Sequence, residues 1–267
     1  GLSIPKDERD LFVQAMSGHT LSFDNVSKVD PWFSDAVCRL STGSGFLTRK
    51  LHSDNEPFWF QGSRPVVLNG IPSLTDRADL AERALTVRLL RIDETTRQSE
   101  DDYWCEWSTV LPGILGALLD AVSTAVRHYD GTKLDRSPRM ADFARLMAAA
   151  ESGLGWEPGT FMTAYDANRQ MTNEQVFESD PVAVAIQKFI TTQHPTNGWE
   201  GTATELLEAL NTIVTEEMRR SRMWPQKVNA LGNAVDRAAP LLRPKGIHVT
   251  KRNTGTKRLI MLTVATN

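Results

Sequence analysis

Two polar side chains follow short apolar segments, and their types suit the chemistry of a nucleotide site. Asp24 follows the run Leu21-Ser-Phe23, and Asn69 follows Val66-Val-Leu68. A carboxylate at the carboxyl edge of a parallel sheet faces the crevice in which nucleotides bind, so Asp24 suits a ligand of Mg²⁺. An amide at the end of a neighbouring strand could position a water between that carboxylate and a γ-phosphate.

Both residues also have an ordinary structural interpretation, which the sequence leaves open. Asp-Asn pairs commonly begin turns, and Asn69 could cap the turn at Gly70 and Pro72. Phosphoryl transfer further needs a backbone cradle with a lysine, and no G-x-x-x-x-G-K-[ST] motif occurs in the 267 residues. Gly43-Ser-Gly45 is too short for this role and indicates a helix stop. The chain alone is therefore not expected to hydrolyse ATP.

The spacing of apolar residues predicts three regions. Residues 1–100 alternate helix and strand, which indicates an α/β domain, and Pro65–Asn69 has the continuous apolar character of a strand buried on both faces of a parallel sheet. Residues 101–178 lose the strand signals and indicate a helical subdomain. Residues 179–267 run helix, helix, helix, strand, strand, which is the order of a winged helix.

Local signals predict where individual elements lie. A β-hairpin is expected from Phe46–Lys50 and Phe58–Phe60, and a last strand of the α/β region from Leu85–Ile92. Helices are expected to start at Ser137-Pro138 and at Asp180-Pro181, because each pair combines an N-cap residue with proline at the first helical position.

The net charge of −3 conceals a strong asymmetry. From Met218 onward there are 11 Lys and Arg and one acid, Asp236, whereas the remaining residues hold 19 Lys and Arg and 32 Asp and Glu. Clustered cations release counterions when they meet phosphates, so DNA or RNA binding is the natural interpretation and a solvated basic face the alternative. The candidate contacts on the third helix and the ribbon are Lys227, Arg237, Lys251, Arg252, Lys257 and Arg258.

Eight segments, taken in order, carry a resemblance to a known family that covers most of the chain. They are Asp7-Glu-Arg-Asp10, Leu21 to Val26, Trp32 to Leu40, Gly45 to Arg49, Arg64 to Ile71, Arg77 to Arg83, Pro138 to Ala144 and Pro158 to Phe161. The chain resembles the bacterial and phage primase-helicase-like ATPases of mobile elements, which are related to the superfamily 3 and D5-type helicases of the AAA+ group. The resemblance implies a partial P-loop sheet domain, a helical lid and a winged helix.

The resemblance also implies roles for individual residues. Asp24 would be the Walker B acid that holds Mg²⁺, and Asn69 would be the sensor 1 residue. Arg77 or Arg83 would be the arginine finger that reaches a neighbouring subunit's nucleotide. Arg83 has an alternative, an ion pair with Asp79 four residues earlier on the same helix.

The sequence departs from the family pattern at the expected general base. Asn25 stands where the family usually has a second carboxylate, and an amide cannot accept the proton. Asp30 or Asp35 could act instead, or hydrolysis could be slow.

The hairpin would correspond to the pre-sensor 1 hairpin, which projects into a central pore in such helicases. Arg49, Lys50 and His52 would then contact DNA. The implied cofactors of the full-length protein are ATP and Mg²⁺, with neither expected on this chain alone. The implied assembly is a homo-oligomeric ring.

From the composition we expect a cytoplasmic protein that does not bind a membrane. The apolar stretch from Val110 to Val126 is broken by Pro112, Gly113, Gly116 and Asp120, and it falls short of the roughly 20 residues of a membrane span. Two other functions stay open. One is a non-enzymatic DNA-binding replication initiator or regulator that kept a degenerate ATPase scaffold, and the other is a protein-interaction role for the winged helix.

Overall fold

A computed structural model describes residues 1–43, 45–49, 57–71, 74–75, 77–194, 196–221, 223–255 and 257–265. The chain divides into two compact units, one formed by residues 1–81 together with 172–267 and the other by residues 82–171. The first unit holds two separate apolar cores, one in its N-terminal part and one in its C-terminal part. The domain boundaries expected near residues 100 and 178 stay predictions.

The N-terminal part of the first unit combines short helices with two small sheets. Its elements are α1 (Glu8–Met16), β1 (Leu21–Phe23), α2 (Pro31–Thr42), β2 (Phe46–Arg49), β3 (Pro57–Phe60), β4 (Val66–Leu68) and α3 (Ala78–Ala81). β1 pairs with β4 in parallel. β2 pairs with β3 in antiparallel fashion, which confirms the predicted hairpin.

The core beside β1 follows from strand alternation. Leu21 and Phe23 are buried and Ser22 between them is exposed, as a period of two requires. Phe33 of α2 meets Phe23 edge to face, with ring centroids 5.3 Å apart. The expectation that the second strand is buried on both faces is wrong, because Val67 at the centre of β4 is 51% exposed. The described part of this sheet has only two strands, β1 and β4, so β4 is an edge strand there and is not in the interior of a sheet.

The second unit is dominated by one long helix. It contains α4 (Glu100–His128), α5 (Ala141–Ala150) and the beginning of α6 (Thr160–Ser179). Ser99 caps α4 by accepting a hydrogen bond from the backbone N–H of Asp102 at 3.2 Å. Three acids in the first turn and Arg127 with His128 in the last turn complement the helix dipole.

Two local predictions for the second unit are wrong. Leu85–Ile92 contains no strand, and Leu90 within it is 91% exposed. A β-strand exists only through hydrogen bonds to a neighbouring strand, and the described residues provide none for this segment. The helix expected at Ser137-Pro138 begins instead at Ala141, after a separate turn at Met140.

Among the described residues, one helical stretch, Glu100–Gly131, is long and apolar enough to cross a membrane. Its most apolar 18-residue window has a mean hydropathy of 1.6, and 11% of that window is buried. The helix runs through Pro112, Gly113 and Asp120, which were expected to interrupt the apolar stretch. Length and composition alone are weak evidence for a membrane span, and the cytoplasmic location stays a prediction.

The C-terminal part of the first unit contains helices and one sheet. Its elements are α7 (Pro181–Gln193), β5 (Trp199–Thr202), α8 (Ala203–Ile213), α9 (Glu216–Arg220), α10 (Val228–Leu242), β6 (Ile247–Asn253) and β7 (Arg258–Val264). The three strands are antiparallel in the order β5–β7–β6. The strand β5 and the short helix α9 are additions to the expected order of three helices and two strands.

Capping explains where the helices of this part begin. The Asp180 side chain accepts hydrogen bonds from the backbone N–H groups of Val182 and Ala183 at 2.9 and 3.0 Å, which confirms the predicted start of α7. Thr202 and Glu205 form a reciprocal capping box at the start of α8. These caps fix the helix ends from local sequence alone.

The core of this part lies between the three longer helices and the sheet. Leu206 and Leu210 of α8, Leu231 and Val235 of α10, and Leu262 of β7 have no exposed surface. The opposite side of α10 is therefore left toward solvent, where side chains can meet a partner.

Candidate functional site

The parallel pairing of β1 and β4 brings Asp24 and Asn69 side by side. Phe23 is in register with Leu68, so the next residues along the two strands are also neighbours. The backbone N–H of Asn69 donates to the carbonyl oxygen of Phe23 at 2.9 Å, and the N–H of Val26 donates to the carbonyl oxygen of Asn69 at 2.8 Å. Pairing thus continues beyond the ends of both strands and fixes the site.

One oxygen of the Asp24 carboxylate is held, and the other is open. Asn69 Nδ2 donates to Asp24 Oδ1 at 2.8 Å, and the backbone N–H of Asn25 donates to the same oxygen at 2.9 Å. Within the described part of the chain, Oδ2 accepts no hydrogen bond, and both side chains are exposed. The arrangement can orient one carboxylate oxygen toward a hydrated cation, and it also caps the turn after β1.

The backbone around this pair is tightly constrained. Asn25 has a positive φ of 54°, a conformation that asparagine tolerates better than most residues. A Cβ atom on Gly70 would lie 2.1 Å from the carbonyl oxygen of Val26. The turn after β4 therefore touches the turn after β1 so closely that only glycine fits, a role that the sequence did not reveal.

A bound Mg²⁺ would need most of its ligands from outside the protein. The described residues contain no group of three or more His, Cys, Asp or Glu side chains that could hold a metal ion. Mg²⁺ is commonly bound by one or two carboxylates together with phosphate oxygens and water, and Asp24 fits that pattern.

The two acids considered as alternatives to Asn25 already have cationic partners. Asp30 Oδ1 lies 2.6 Å from Lys28 Nζ, and Asp35 Oδ1 lies 2.8 Å from a guanidinium nitrogen of Arg77. Both carboxylates are exposed enough for these pairs to be weak. A cation beside a carboxylate favours its ionised form, so these pairs make either acid a weaker acceptor of a proton from water.

Arg77 is engaged by two acids instead of being extended toward solvent. Its guanidinium binds Asp35 of α2 and Asp79 of α3, with Nη2 3.1 Å from Asp79 Oδ2. The hydrogen bond to Asp79 raises the pKa of Arg77. Burial alone would raise the pKa of Asp79, but the hydrogen bond and charge of Arg77 lower it below its ordinary value. Arg77 thus joins α2 to α3. Arg83, the other candidate for the arginine finger, is half-buried.

The predicted DNA-contacting residues of the hairpin are only partly within the described structure. Arg49 is the last residue of β2, opposite Pro57 of β3. Lys50 and His52 lie outside the described residues. β2 and β3 are paired, and Arg49 belongs to the last pair before the connection between the two strands.

Lys251 joins the ribbon of β6 and β7 to α10. Its ammonium lies 2.5 Å from Asp236 Oδ1 and donates to the carbonyl oxygen of Gly232 at 3.1 Å. Its side chain is 20% exposed. Lys251 therefore fixes the ribbon against the helix, a position for which the sequence proposed a nucleic-acid contact.

Other cations of the basic tail are also paired within the protein. Arg219 and Arg220 both bind Glu216, at 2.9 and 2.8 Å, and Lys245 pairs with Glu174. The spacing of Glu216 from the two arginines is i,i+3 and i,i+4, so that pair of contacts could have been read from the sequence. The Lys245 pair joins residues 71 positions apart, and sequence alone gave no signal for it.

The remaining candidate cations are exposed. One of them, Lys257, lies near the carboxylate of Glu205. The pKa of Glu205 is lowered chiefly by hydrogen bonds from the backbone N–H and hydroxyl of Thr202, and to a smaller extent by the charge of Lys257. Arg252 and Arg258 have no ion pair among the described residues and are the least compensated cations of the ribbon. The exposed cations of α10, its N-cap position and the ribbon are Lys227, Arg237, Arg252, Lys257 and Arg258.

Family models match most of the chain. The model of an actinomycete integrative conjugative element replication protein matches residues 2–173. The model of the C-terminal domain of the RepA proteins of these elements matches residues 182–267. No curated protein and no solved structure gave a match.

Replacing Gly70 by alanine should disturb the site by forcing the turns after β1 and β4 apart. We expect Gly70→Ala to lower the free energy of unfolding by about 1–3 kcal/mol, as overpacking against rigid backbone does. The matched control is Gly18→Ala, whose Cβ would lie 3.6 Å from the nearest atom, an ordinary contact. Chemical denaturation of both variants measures the difference, and equal stability would contradict the steric argument.

The lowered pKa of Asp79 predicts a pH-dependent contribution to stability. The ionised form is favoured in the folded state, so the contribution is present above the ordinary pKa of the carboxyl and is lost as pH falls through the folded pKa. We expect Asp79→Asn to lower the free energy of unfolding by at most about 1 kcal/mol at pH 7, because the pair is partly exposed, and the difference from wild type should shrink as the pH falls below the ordinary pKa of the carboxyl. Thermal unfolding at a series of pH values measures the stability difference between Asp79→Asn and the wild type, and Asp135→Asn at an exposed position is the control. A stability difference that persists at low pH would show a non-electrostatic cause.

Proposed function

We propose that this chain, which belongs to the family of actinomycete integrative conjugative element replication proteins, is part of a nucleic-acid-dependent ATPase of the helicase or primase-helicase type. The resemblance seen in the sequence predicted a replication protein of a mobile element, and membership of this family confirms that prediction. The ATPase mechanism is the proposal.

The observation that carries this proposal is the contact of Asn69 with Asp24 at the carboxyl ends of two adjacent parallel strands. An acid that binds the magnesium of a nucleotide and a polar residue that orients the attacking water need this adjacency. The amide holds Oδ1 at 2.8 Å, which leaves Oδ2 as the oxygen available to the cation or its water.

The proposal requires a phosphate-binding loop outside these 267 residues, because the chain contains no such motif. ATP and Mg²⁺ would then be shared between that loop and the pair formed by Asp24 and Asn69. An arginine finger would act between subunits of a ring, and Arg77 would have to leave Asp35 and Asp79 to serve as one.

For the C-terminal part, we propose a winged helix that binds DNA. Support comes from three helices against an antiparallel sheet, with the exposed side of α10 presenting Asn229, Asn233 and Arg237. Such a helix suits the major groove, and the ribbon carrying Arg252 and Arg258 suits the phosphate backbone.

Loss of the Asp24 carboxylate should abolish nucleotide hydrolysis by the full-length replication protein. Asp24→Asn keeps the size of the side chain but removes the charge that binds Mg²⁺, so we expect kcat to fall by about 100-fold or more. Asn69→Ala should lower kcat through loss of water positioning. The control is Ser22→Ala on the exposed face of β1. Steady-state phosphate release, with and without DNA, measures each; full turnover by Asp24→Asn would refute the assigned role.

Charge reversal on the ribbon should weaken DNA binding without unfolding the protein. We expect Arg252→Glu and Arg258→Glu each to reduce the slope of log affinity against log salt concentration by about 1. The matched control is Arg220→Glu, since Glu216 already compensates Arg220. Fluorescence anisotropy with duplex DNA between about 50 and 200 mM salt measures the slopes. Equal slopes for all three variants would point to a diffuse charge effect.

A second candidate function is a DNA-binding replication initiator or regulator that does not hydrolyse ATP. It is favoured by Asn25 in place of a catalytic acid and by the ion pairs that engage Asp30 and Asp35. Under this alternative the full-length protein would bind DNA normally yet show no nucleotide turnover, and Asp24→Asn would leave DNA binding unchanged.

A further inference from the structure

The long helix α4 is poorly covered for its apolar content. Of its 29 residues, only Ala121 and Ala125 are buried. The exposed apolar residues that form the α4 patch are Leu111, Ile114, Leu115, Leu118, Leu119 and Val122, and each is between 40% and 60% exposed. Together with Trp104 the patch presents on the order of 700 Å², against roughly 800 Å² per partner in a standard interface. A patch of this size marks an interaction surface.

The α4 patch is symmetric along the helix. Leu111 and Val122, Ile114 and Leu119, and Leu115 and Leu118 are each equally distant from the point between residues 116 and 117. In an antiparallel pair of helices, residues related in this way lie opposite one another. This spacing lets the apolar residues of the patch face those of a second copy under a two-fold axis, as an isologous contact requires.

A cavity at one end of α4 matches an exposed tryptophan at the other end. The cavity is wide open to solvent and has a volume of about 520 Å³. Its lining residues are Val126, Tyr129, Phe143 and Leu146 together with the acids Asp130 and Asp142. The same two-fold relation places Tyr129 opposite Trp104, whose side chain is 52% exposed. One end of the helix thus carries an exposed aromatic side chain, and the other end carries a mainly apolar cavity. The two-fold relation places the exposed side chain of each copy opposite the cavity of the other.

We infer that two copies of this chain associate through antiparallel α4 helices, with each Trp104 inserted into the cavity of the other copy. The charges of the helix favour this occupant over a lipid bilayer. Asp120 lies near the middle of the apolar stretch, and an acidic side chain is costly inside a membrane. The association needs neither nucleotide nor DNA, so its failure leaves the proposed function untouched.

The test is the mass of the 267-residue chain in solution, measured by sedimentation equilibrium over a wide concentration range. The wild type should approach twice 29.8 kDa. Leu118→Asp places a charge twice in the contact and should raise the dimer Kd by at least about 100-fold. Trp104→Ala should raise the Kd by about 10-fold or more through the emptied cavity. Thr109→Asp adds the same charge on the side of α4 away from the patch and should leave the Kd unchanged.

Cysteine cross-linking tests the antiparallel register independently of any destabilised variant. In a background in which Cys38 and Cys105 are replaced by serine, Leu111→Cys or Val122→Cys alone should not form a covalent dimer. Each lies about 16 Å along the axis from its own copy in the partner. The double variant should cross-link efficiently, because residue 111 of one copy meets residue 122 of the other.

Three results would overturn the inference. The first is a monomer at every concentration, and the second is equal association of Leu118→Asp and Thr109→Asp. The third is cross-linking by either single cysteine variant, which would indicate a parallel contact. Flotation with anionic phospholipid vesicles is measured beside these experiments, and vesicle binding by a monomeric wild type would assign the α4 patch to a lipid surface.

Discussion

The site around Asp24 depends on the close approach of two backbone turns, in which Gly70 lies against the carbonyl of Val26. Strands of three residues provide few ladder hydrogen bonds, so the bonds beyond their ends help to keep β1 and β4 in register. Register is decisive here, because a slip of one residue would turn Asp24 and Asn69 to opposite faces of the sheet. The side-chain hydrogen bond is thus a consequence of backbone packing.

Sequence reasoning succeeded where the signal and the structure are both local. The N-cap at Asp180 follows from residues within three positions of one another, and the hairpin of β2 and β3 pairs two strands that are consecutive in the chain. The Asp24 and Asn69 positions were found because each ends an apolar run. Their hydrogen bond joins residues 45 positions apart, and only the parallel pairing of the strands produces it.

Interaction partners that the sequence does not identify account for the wrong strand prediction, and they also bear on the untested prediction for Lys251. Leu85–Ile92 has the composition of a strand but lacks a neighbouring strand among the described residues. Lys251 is a cation of the ribbon whose ammonium binds Asp236 and the carbonyl oxygen of Gly232, and its contact with DNA stays a prediction. A count of charges therefore overstates how many cations of the tail are available to a polyanion, because a paired cation must first give up its carboxylate.

The α4 contact and a ring assembly make different demands on the surface of the protein. An isologous contact closes after two copies, because both use the same patch, whereas a ring repeats one heterologous contact until it closes. The α4 patch therefore cannot build the ring that an arginine finger acting between subunits would require. If both assemblies exist, the ring must use another surface, and α4 would then join subunits of two separate rings or two protomers that have not yet assembled.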